Sequence, residues 1–389
     1  MLAERLKEVR LARGLTQEAL IEKMNGVITK QAYSKYERAK AEPSPGILVK
    51  LSEALDIKVA NLYEEPEWNI SFIAFRKIAS VGKKEQVYIR NYMKEALLNR
   101  IRLQELTNSL KEIDFLQDRR PVKKLVDVEG CAEKLRENWN LGSDPIRDLR
   151  EVLEDHSVFT FEFDTRNRID GGSLLAKDQS DNVIAVGVCS RTGICGERQR
   201  LNYAHELGHV FLDIDEGVDE EKAAMRFGAA FLAPEDTVKS EVGTRRTNIT
   251  YEELSLLKGK FGISKSALLF RLYDLGIITE SHRNYWFRFL KMNNEWKKAP
   301  DESAPETSDW AKQHAFRAYA EGLVTLEEAE RLSGSKLKIR EESSNIRNIM
   351  KSPPEERRKL MAESAERLVD YYEDDEKWRD FQGGKLAEY

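Results

Sequence analysis

The sequence contains few cysteines, no cysteine pair of the CxxC type and no long apolar run, and each absence excludes a class of protein. Three cysteines in 389 residues cannot form a disulfide framework, so we expect a protein of the reducing cytoplasm. No apolar stretch approaches the roughly 20 residues of a membrane-spanning helix, and the first helix is charged throughout, unlike a signal peptide. We therefore expect no contact with a membrane.

The net charge is also small. A formal charge of −5 argues against a general binder of polyanions, so any contact with DNA must be local. The chain is long enough for two or three domains, and charged residues make up 34% of it, which fits a mostly helical protein with solvated faces. The organisation of the chain has to be inferred from its motifs.

Histidine is scarce as well, with five residues in the chain, and two of them form an H-E-x-x-H motif. Positions i and i+4 share one face of an α-helix, so His205 and His209 can present two imidazoles to one metal ion. Glu206 can lean over an open coordination position and polarise a water there, as the chemistry of a zinc peptidase requires. The apolar surface that would bury this helix consists of Leu201, Ala204, Leu207, Val210, Phe211 and Leu212.

A third metal ligand is predicted on the next helix, over 219–234. Glu221 lies three residues before Ala224 and therefore on the buried side of that helix, whereas Glu220 lies about 100° further round and is the weaker candidate. The alternative is that Glu221 is only an acid favoured by the helix dipole. The buried stripe consists of Ala224, Phe227, Ala230 and Phe231, and the small residues that allow close helix packing are Ala223, Ala224, Gly228, Ala229 and Ala230.

These residues resemble a known family. H-E-L-G-H followed by E-x-x-A-x-x-F-x-A-x-x-L-x-P is similar to the ImmA/IrrE zinc metallopeptidases, as are the segments 148–154 and 197–200, and the resemblance covers roughly 76–280. It implies a zinc cofactor. It implies the ligands His205, His209 and Glu221, with Glu206 as the general base. The family often has Asn where Met225 stands and Ala where Gly228 stands, which affects packing more than catalysis.

The N-terminal segment, 1–65, predicts a separate domain of five short helices. The first is closed by Gly14, Thr16 caps a second that runs to Met24, and Asn25-Gly26 indicates a turn. Thr29 caps a third helix over 30–38. A fourth and a fifth helix are indicated by Ile47, Leu48, Leu51 and Leu55, and by Val59, Leu62 and Tyr63.

A helix, a short turn and a second helix of this size predict a helix-turn-helix whose third helix enters the major groove. Arg-x-x-Arg-Gly-Leu-Thr-Gln (10–17) with Ser-Lys-Tyr-Glu-Arg (34–38) resembles the Xre/Cro type of phage-repressor domain. Ala32 and Tyr36 are predicted to face inward. The alternative is a helical bundle that binds a protein, since the segment has nearly balanced charge. The predicted DNA contacts are Gln17, Thr29, Lys30, Gln31, Tyr33, Ser34 and Lys35.

Between the two motifs, the sequence predicts helices and then a small sheet. One long helix is predicted over 84–118, and shorter helices are predicted over 129–138 and 144–155. The long apolar face of the first is more typical of core or dimer packing than of a functional site. In zincin-like peptidases an extended substrate adds to a sheet edge beside the metal, and this chain has the parts for that. The predicted strands are 157–163, 171–175 and 183–188.

The rest of the chain is predicted to extend the peptidase domain, 66–296, and then to leave it. A second helix-turn-helix pattern over 251–277, capped by Ser264, is interpreted as part of the peptidase. A composition of Pro, Ser, Asp and Glu indicates a linker over 297–310, which is also a candidate for self-processing. A helical, charged extension follows over 311–389; its last segment suits folding on a partner or a solvated extension equally well.

The sequence therefore predicts an α+β, mainly helical fold: a five-helix DNA-binding domain followed by a zincin-like metallopeptidase domain with a small sheet. The expected function is a stress- or signal-responsive regulator that binds double-stranded operator DNA. Its resemblance implies zinc-dependent, site-specific cleavage of a helix-turn-helix repressor or antitoxin, with a homodimer as a further option. The alternative is a non-enzymatic transcriptional regulator or antitoxin that uses the peptidase fold as a sensor or dimerisation module.

Overall fold

A computed structural model describes the chain at residues 2–63, 68–73, 82–111, 113–165, 169–295, 301–339 and parts of 353–366. The chain divides into two units, Met1–His314 and Ala315–Tyr389. In the described part, no helix is both long enough and apolar enough to cross a membrane. The predicted domain break at Pro66 and most of the charged tail lie outside the described residues.

The N-terminal domain consists of four α-helices closed by a single 3-10 turn at Ala60–Leu62, where a fifth helix was predicted. The hydroxyls of Thr16 and Thr29 accept the amides of Ala19 and Ala32, so both predicted N-caps are confirmed. The core of this domain contains Leu6, Leu20, Tyr33, Leu51 and Leu55. The helices are α1 (Leu2–Ala12), α2 (Gln17–Lys23), α3 (Lys30–Glu37) and α4 (Pro45–Leu55).

The long connecting helix, α5, covers Lys83–Leu106 and is shorter than predicted. It ends because Asn108 adopts a left-handed backbone, with φ of 48°. The helices α6 (Val128–Asn138) and α7 (Leu149–Asp155) follow. The prediction that α7 begins at 144 is wrong, since Asp148 caps it by accepting the amide of Glu151 at 2.9 Å.

The predicted small sheet is confirmed and contains one additional strand. Its strands are β1 (Asn69–Phe72), β3 (Val158–Phe163), β4 (Gly171–Lys177) and β5 (Val183–Arg191), and a separate parallel pair is formed by β2 (Pro121–Val122) and β6 (Asp213–Ile214). β1 was not predicted, because four residues give too short a pattern. The order of the sheet is β1-β4-β5-β3, in which β3 runs parallel to β5 while β4 is antiparallel to both β5 and β1.

Six further helices complete the predicted peptidase part around the main hydrophobic core. The fully buried Arg271 donates from Nε to the carbonyl of Ala233 at 2.8 Å and from Nη1 to Glu129 at 2.6 Å, which ties α12 to α9 and α6. The second helix-turn-helix pattern is thus part of this core. The helices are α8 (Gly196–Phe211), α9 (Glu220–Leu232), α10 (Glu235–Val242), α11 (Tyr251–Phe261), α12 (Lys265–Asp274) and α13 (Glu280–Met292).

The N-terminal domain, predicted to bind DNA, is attached through α1 and α5 to the part of the chain predicted to be a peptidase. Arg13 donates to Glu95 at 2.5 Å, and Lys94 donates to Glu8 at 3.0 Å. On its other side, α5 packs against the sheet, where the thiol of Cys189 lies 3.5 Å from the sulfur of Met93. The helix that bears the DNA-binding domain therefore also supports the sheet.

Residues 301–310, predicted to form a linker, are bound along the peptidase part. The amide of Ser303 donates to Glu197 at 2.9 Å, and the amide of Glu306 donates to Gln199 at 2.8 Å. These two acceptors lie in the first turn of α8. The prediction of an open linker over 297–310 is therefore wrong for 301–310.

Carboxylates of this bound segment neutralise cations that the fold buries. Asp301 lies 3.5 Å from the ammonium of Lys258 and 3.2 Å from that of Lys265, and both lysines are buried. The carboxylate of Glu306 pairs with Arg200, which is buried as well. Since an unpaired buried charge costs several kcal/mol, this segment is an integral part of the fold.

The second unit contains the end of α14 (Trp310–Ala320) and α15 (Leu326–Ser333). The hydroxyl of Thr325 caps α15 by accepting the amide of Glu328 at 3.2 Å, and Gly334 ends it in a left-handed conformation. Both helices fit the helical character predicted for 311–389. The last segment, whose aromatic residues Tyr371, Tyr372, Trp378 and Phe381 suit folding on a partner or a solvated extension equally well, lies outside the described residues.

Candidate metal centre and nucleic-acid interface

The helix α8 places His205 and His209 side by side in the core of the peptidase part. Their Nε2 atoms are 3.1 Å apart, and both side chains are buried, as predicted from the apolar flanks of the motif. The spacing of four residues brings the two rings onto one face of the helix. The two imidazoles are therefore positioned to share one metal ion.

The adjacent helix α9 brings Glu221 to these imidazoles. One of its carboxylate oxygens lies 3.7 Å from Nε2 of His205 and the other 3.6 Å from Nε2 of His209. Donor atoms about 2.0–2.2 Å from a tetrahedral zinc ion are about 3.3–3.6 Å apart. The separations in this group, 3.1, 3.6 and 3.7 Å, lie close to that range, and among the described residues these three side chains form a set that could hold a metal.

Two glycines let α8 and α9 approach closely enough for this shared group. A Cβ atom on Gly228 would lie 3.0 Å from the backbone nitrogen of His205, and one on Gly208 would lie 3.2 Å from the backbone of Ala224. Larger side chains at either position would push the helices apart. The predicted small-residue contact between the two helices is confirmed.

Glu220 has a place that sequence reasoning missed. Its carboxylate lies 3.3 Å from Nδ1 of His209. Nδ1 is the ring nitrogen that does not face Glu221, whereas Nε2 is the nitrogen positioned to bind the metal. A carboxylate at this position fixes the ring orientation and the tautomer of a ligating histidine and raises its basicity. The signal available in the sequence is the pair Glu220-Glu221 at the start of a helix, where the two acids are predicted as alternative ligands and not as a ligand with its partner.

Glu206, next to His205 in the sequence, lies against the start of β4. A Cβ atom built on Gly171, at the start of β4, would lie 2.7 Å from Oε1 of Glu206 and 2.7 Å from the carbonyl oxygen of Cys189. Only glycine lets the strand pass this close to the carboxylate. Glu206 is itself buried, so β4 forms one wall of the site.

The cysteines are not candidates for nucleophilic chemistry. Burial raises the pKa of the Cys189 thiol well above its ordinary value, and burial also raises the pKa of Cys131 and of Cys195. A thiol in its neutral form is a poor nucleophile and a poor metal ligand. The chemistry of the site therefore rests on the histidines and carboxylates.

The exposed side of α3 carries most of the predicted DNA contacts. Gln31 and Lys35 are exposed and Ser34 is half-buried, while Lys30 is exposed and pairs with Glu18 of α2. The hydroxyl of Thr29 is engaged as the cap of α3. These polar groups on one helix face fit a surface that enters a groove.

The prediction that Tyr33 faces DNA is wrong. Its side chain is 0% exposed, and its hydroxyl donates to the carbonyl of Leu6 at 3.4 Å. Burial against α1 raises the pKa of this hydroxyl. The helix is rotated relative to our expectation, because the large ring fills the core of the domain.

A buried ion pair that the sequence did not reveal joins α1 to α3. Arg10 donates to the carboxylate of Glu37 through Nε at 2.7 Å and Nη2 at 3.1 Å, and both side chains are buried. The amide of Gln17 donates to the same carboxylate at 2.6 Å. Gln17, predicted as a DNA contact, is thus held at the junction of α2 and α3, and the network fixes the angle at which α3 is presented.

Two family models match the chain. One, described as helix-turn-helix, matches residues 6–62 and so covers the N-terminal domain. The other, described as IrrE N-terminal-like domain of a peptidase family, matches residues 195–273, from the residue before α8 into α12. No curated protein and no solved structure matches the chain. Both resemblances inferred from the motifs are confirmed.

Proposed function

We propose that this chain, which joins an Xre-type helix-turn-helix domain to an ImmA/IrrE-type peptidase domain, is a transcriptional regulator with zinc-dependent, site-specific endopeptidase activity. The observation that carries the proposal is the group of His205, His209 and Glu221, whose donor atoms lie within 4.8 Å of one another beside Glu206. A site with three protein ligands leaves a coordination position for water or substrate. A purely structural zinc site is closed by four protein ligands.

The chain's own residues have separate roles in this proposal. A zinc ion held by the three donors would polarise the scissile carbonyl and lower the pKa of the attacking water. Glu206 accepts the proton of that water and returns it to the leaving amine. Glu220 orients His209 through Nδ1. The buried position of these side chains strengthens each electrostatic contact.

The proposed substrate is a helix-turn-helix repressor or antitoxin, as the family resemblance implies. The chain carries a DNA-binding domain of its own, which would bring the peptidase close to a repressor bound at a neighbouring operator. The metal-loaded full-length chain should cut the repressor encoded beside it at one or a few bonds, and a chelator should stop the cut until zinc is restored. Mass spectrometry of the products measures this. Intact repressor with fully loaded protein would contradict the peptidase proposal.

DNA binding makes a second test, carried out on the full-length chain. We expect Gln31→Ala to relax preference at one base pair by about 1–3 kcal/mol, because glutamine can read a base edge. Lys35→Ala should weaken binding to all sequences and reduce the salt slope by about 1, as loss of a phosphate contact does. Binding measured at several salt concentrations, with Lys312→Ala as a control on an exposed lysine outside the domain, separates the two effects. A uniform loss with Gln31→Ala would remove its base-reading role.

A further inference from the structure

The strand β1 occupies one edge of β4, the strand whose first residue, Gly171, lies against Glu206. It pairs antiparallel with β4, from Asn69 opposite Lys177 to Phe72 opposite Leu174, and the amide of Ile73 donates to the carbonyl of Ser173 at 3.0 Å. As β1 runs from Asn69 to Phe72, its partners on β4 therefore run from the end of β4 toward its start. The pairing reaches to within two residues of Gly171, which contacts Glu206.

The start of β4 is held against the site from the helix side as well. The amide of Asn202 donates to the carbonyl of Asp170 at 2.9 Å and to the hydroxyl of Ser190 at 3.0 Å. Asn202 lies one turn before Glu206 on α8. The strand and the catalytic helix are thus fixed together, so a chain paired with β4 would lie one strand spacing, about 4.8 Å, from the wall of the site.

A peptide that adds to a sheet bonds through its main chain to the free groups of an edge strand. On β4 these groups belong to residues 173, 175 and 177, since hydrogen-bonded pairs alternate along an antiparallel ladder and Ser173 is one of them. In the structure, β1 already pairs with these main-chain groups. A peptide that added to the outside of β1 instead would lie one strand further from Glu206.

We propose that β1 is an intramolecular occupant of the edge at which a substrate peptide pairs with β4, so that β1 competes with the substrate and slows cleavage until it is displaced. The inference rests on the proposed peptidase function. β1 is short, and Asn69 and Ser71 face solvent, while Ile70 and Phe72 are only partly buried against the core beneath the sheet. A strand of this kind can be displaced at a modest cost.

The position of β1 in the chain connects this competition to the DNA-binding domain. β1 lies in sequence between the helices that end at Leu62 and the start of α5 at Lys83. Those helices contact α5 through the pairs Arg13–Glu95 and Glu8–Lys94. β1 therefore lies in sequence between the two elements whose contact joins the N-terminal domain to the rest of the chain.

The test uses proline at Ser71 in the full-length, zinc-loaded protein. Ser71 is exposed, and its amide donates to β4 by the alternation of the ladder, so Ser71→Pro removes a bond without disturbing the core. Ser71→Ala is the matched control, and Ser71→Val, which favours a strand, has the opposite expected sign. Fluorescein-labelled casein serves as an extended substrate, and amide hydrogen exchange over 173–177 reports on the edge.

We expect Ser71→Pro to speed exchange over 173–177 and to cleave casein about tenfold faster than the wild type, Ser71→Ala to match the wild type, and Ser71→Val to be slower. Adding Glu206→Gln to Ser71→Pro should abolish the gain. An open edge with an unchanged or reduced rate of cleavage overturns the proposal; a reduced rate would place the substrate on the outside of β1.

Failure of the peptidase function itself gives a different result, namely no cleavage of casein by any variant and no cleavage of the repressor by the wild type; a site that cuts only its cognate protein leaves casein intact but cuts the repressor. The occupancy of the edge is then decided by binding of a labelled peptide of residues 68–73 to the Glu206→Gln protein. Binding that is at least about tenfold tighter when Ser71 is also proline supports the proposal. Equal binding with and without the proline overturns it.

Discussion

Glu206→Gln should retain the bound metal and the fold and lose cleavage of the cognate repressor. The substitution keeps the size of the side chain and leaves His205, His209 and Glu221 in place, so the metal content should equal that of the wild type. It removes the group that accepts and returns the proton, a contribution of about 10²–10⁴-fold in rate. The rate of repressor cleavage, measured with metal content determined on the same sample, checks both parts.

The control for this variant is Glu197→Gln. Glu197 lies on the same helix and is also buried, but it pairs with Lys258 at 2.6 Å and binds the amide of Ser303, away from the metal group. Loss of its carboxylate should lower the stability of the protein and leave the rate of the chemical step unchanged. If Glu206→Gln relieved repression in cells as well as the wild type does, proteolysis would not be the mechanism. The non-enzymatic regulator would then be the better account.

His209→Ala should abolish metal binding, the second large effect. It removes one of three donors and leaves Glu220 without the imidazole that it contacts. His205→Ala should have the same consequence, since the two rings contribute equally to the group. Metal content after dialysis, measured by atomic emission, gives the answer. Full occupancy in either variant would refute the ligand assignment.

The two acidic neighbours provide a graded comparison. Glu221→Gln should weaken zinc binding less than loss of a histidine, because both imidazoles remain. Glu220→Gln should weaken it by about 10–100-fold, the usual effect of a partner that orients a ligand. A competitive chelator titration measures all of these affinities. Should Glu220→Gln bind zinc less tightly than Glu221→Gln, Glu220 and not Glu221 would be the third ligand.

Features set by local geometry could be predicted from the sequence. The spacing of His205 and His209 follows from the pitch of a helix, and the face that bears Glu221 follows from Ala224 three residues later. The caps at Thr16, Thr29 and Ser264 depend only on the next few residues. In each case the residues that decide the structure are close together in the chain.

Features set by contacts between residues far apart in the chain could not be predicted from the sequence. Tyr33 was assigned to the wrong face of its helix because the burial of that ring is decided by α1, where it reaches the carbonyl of Leu6. β1 is recognisable only through its partner, β4, more than 100 residues later. The pairing of Arg10 with Glu37 joins two charged residues that a sequence pattern assigns to solvent.

The bound segment 301–310 has a consequence for where the enzyme part can be cut. The IrrE-like match ends at 273, so a fragment designed on homology would stop well short of Asp301 and Glu306. Such a fragment would retain the buried cations Lys265 and Arg200 without Asp301 and Glu306, the acids of the bound segment that pair with them. The stretch that matches the family model is therefore shorter than the stretch that folds as a unit. The ends of a recombinant fragment should be chosen to include the whole folded unit.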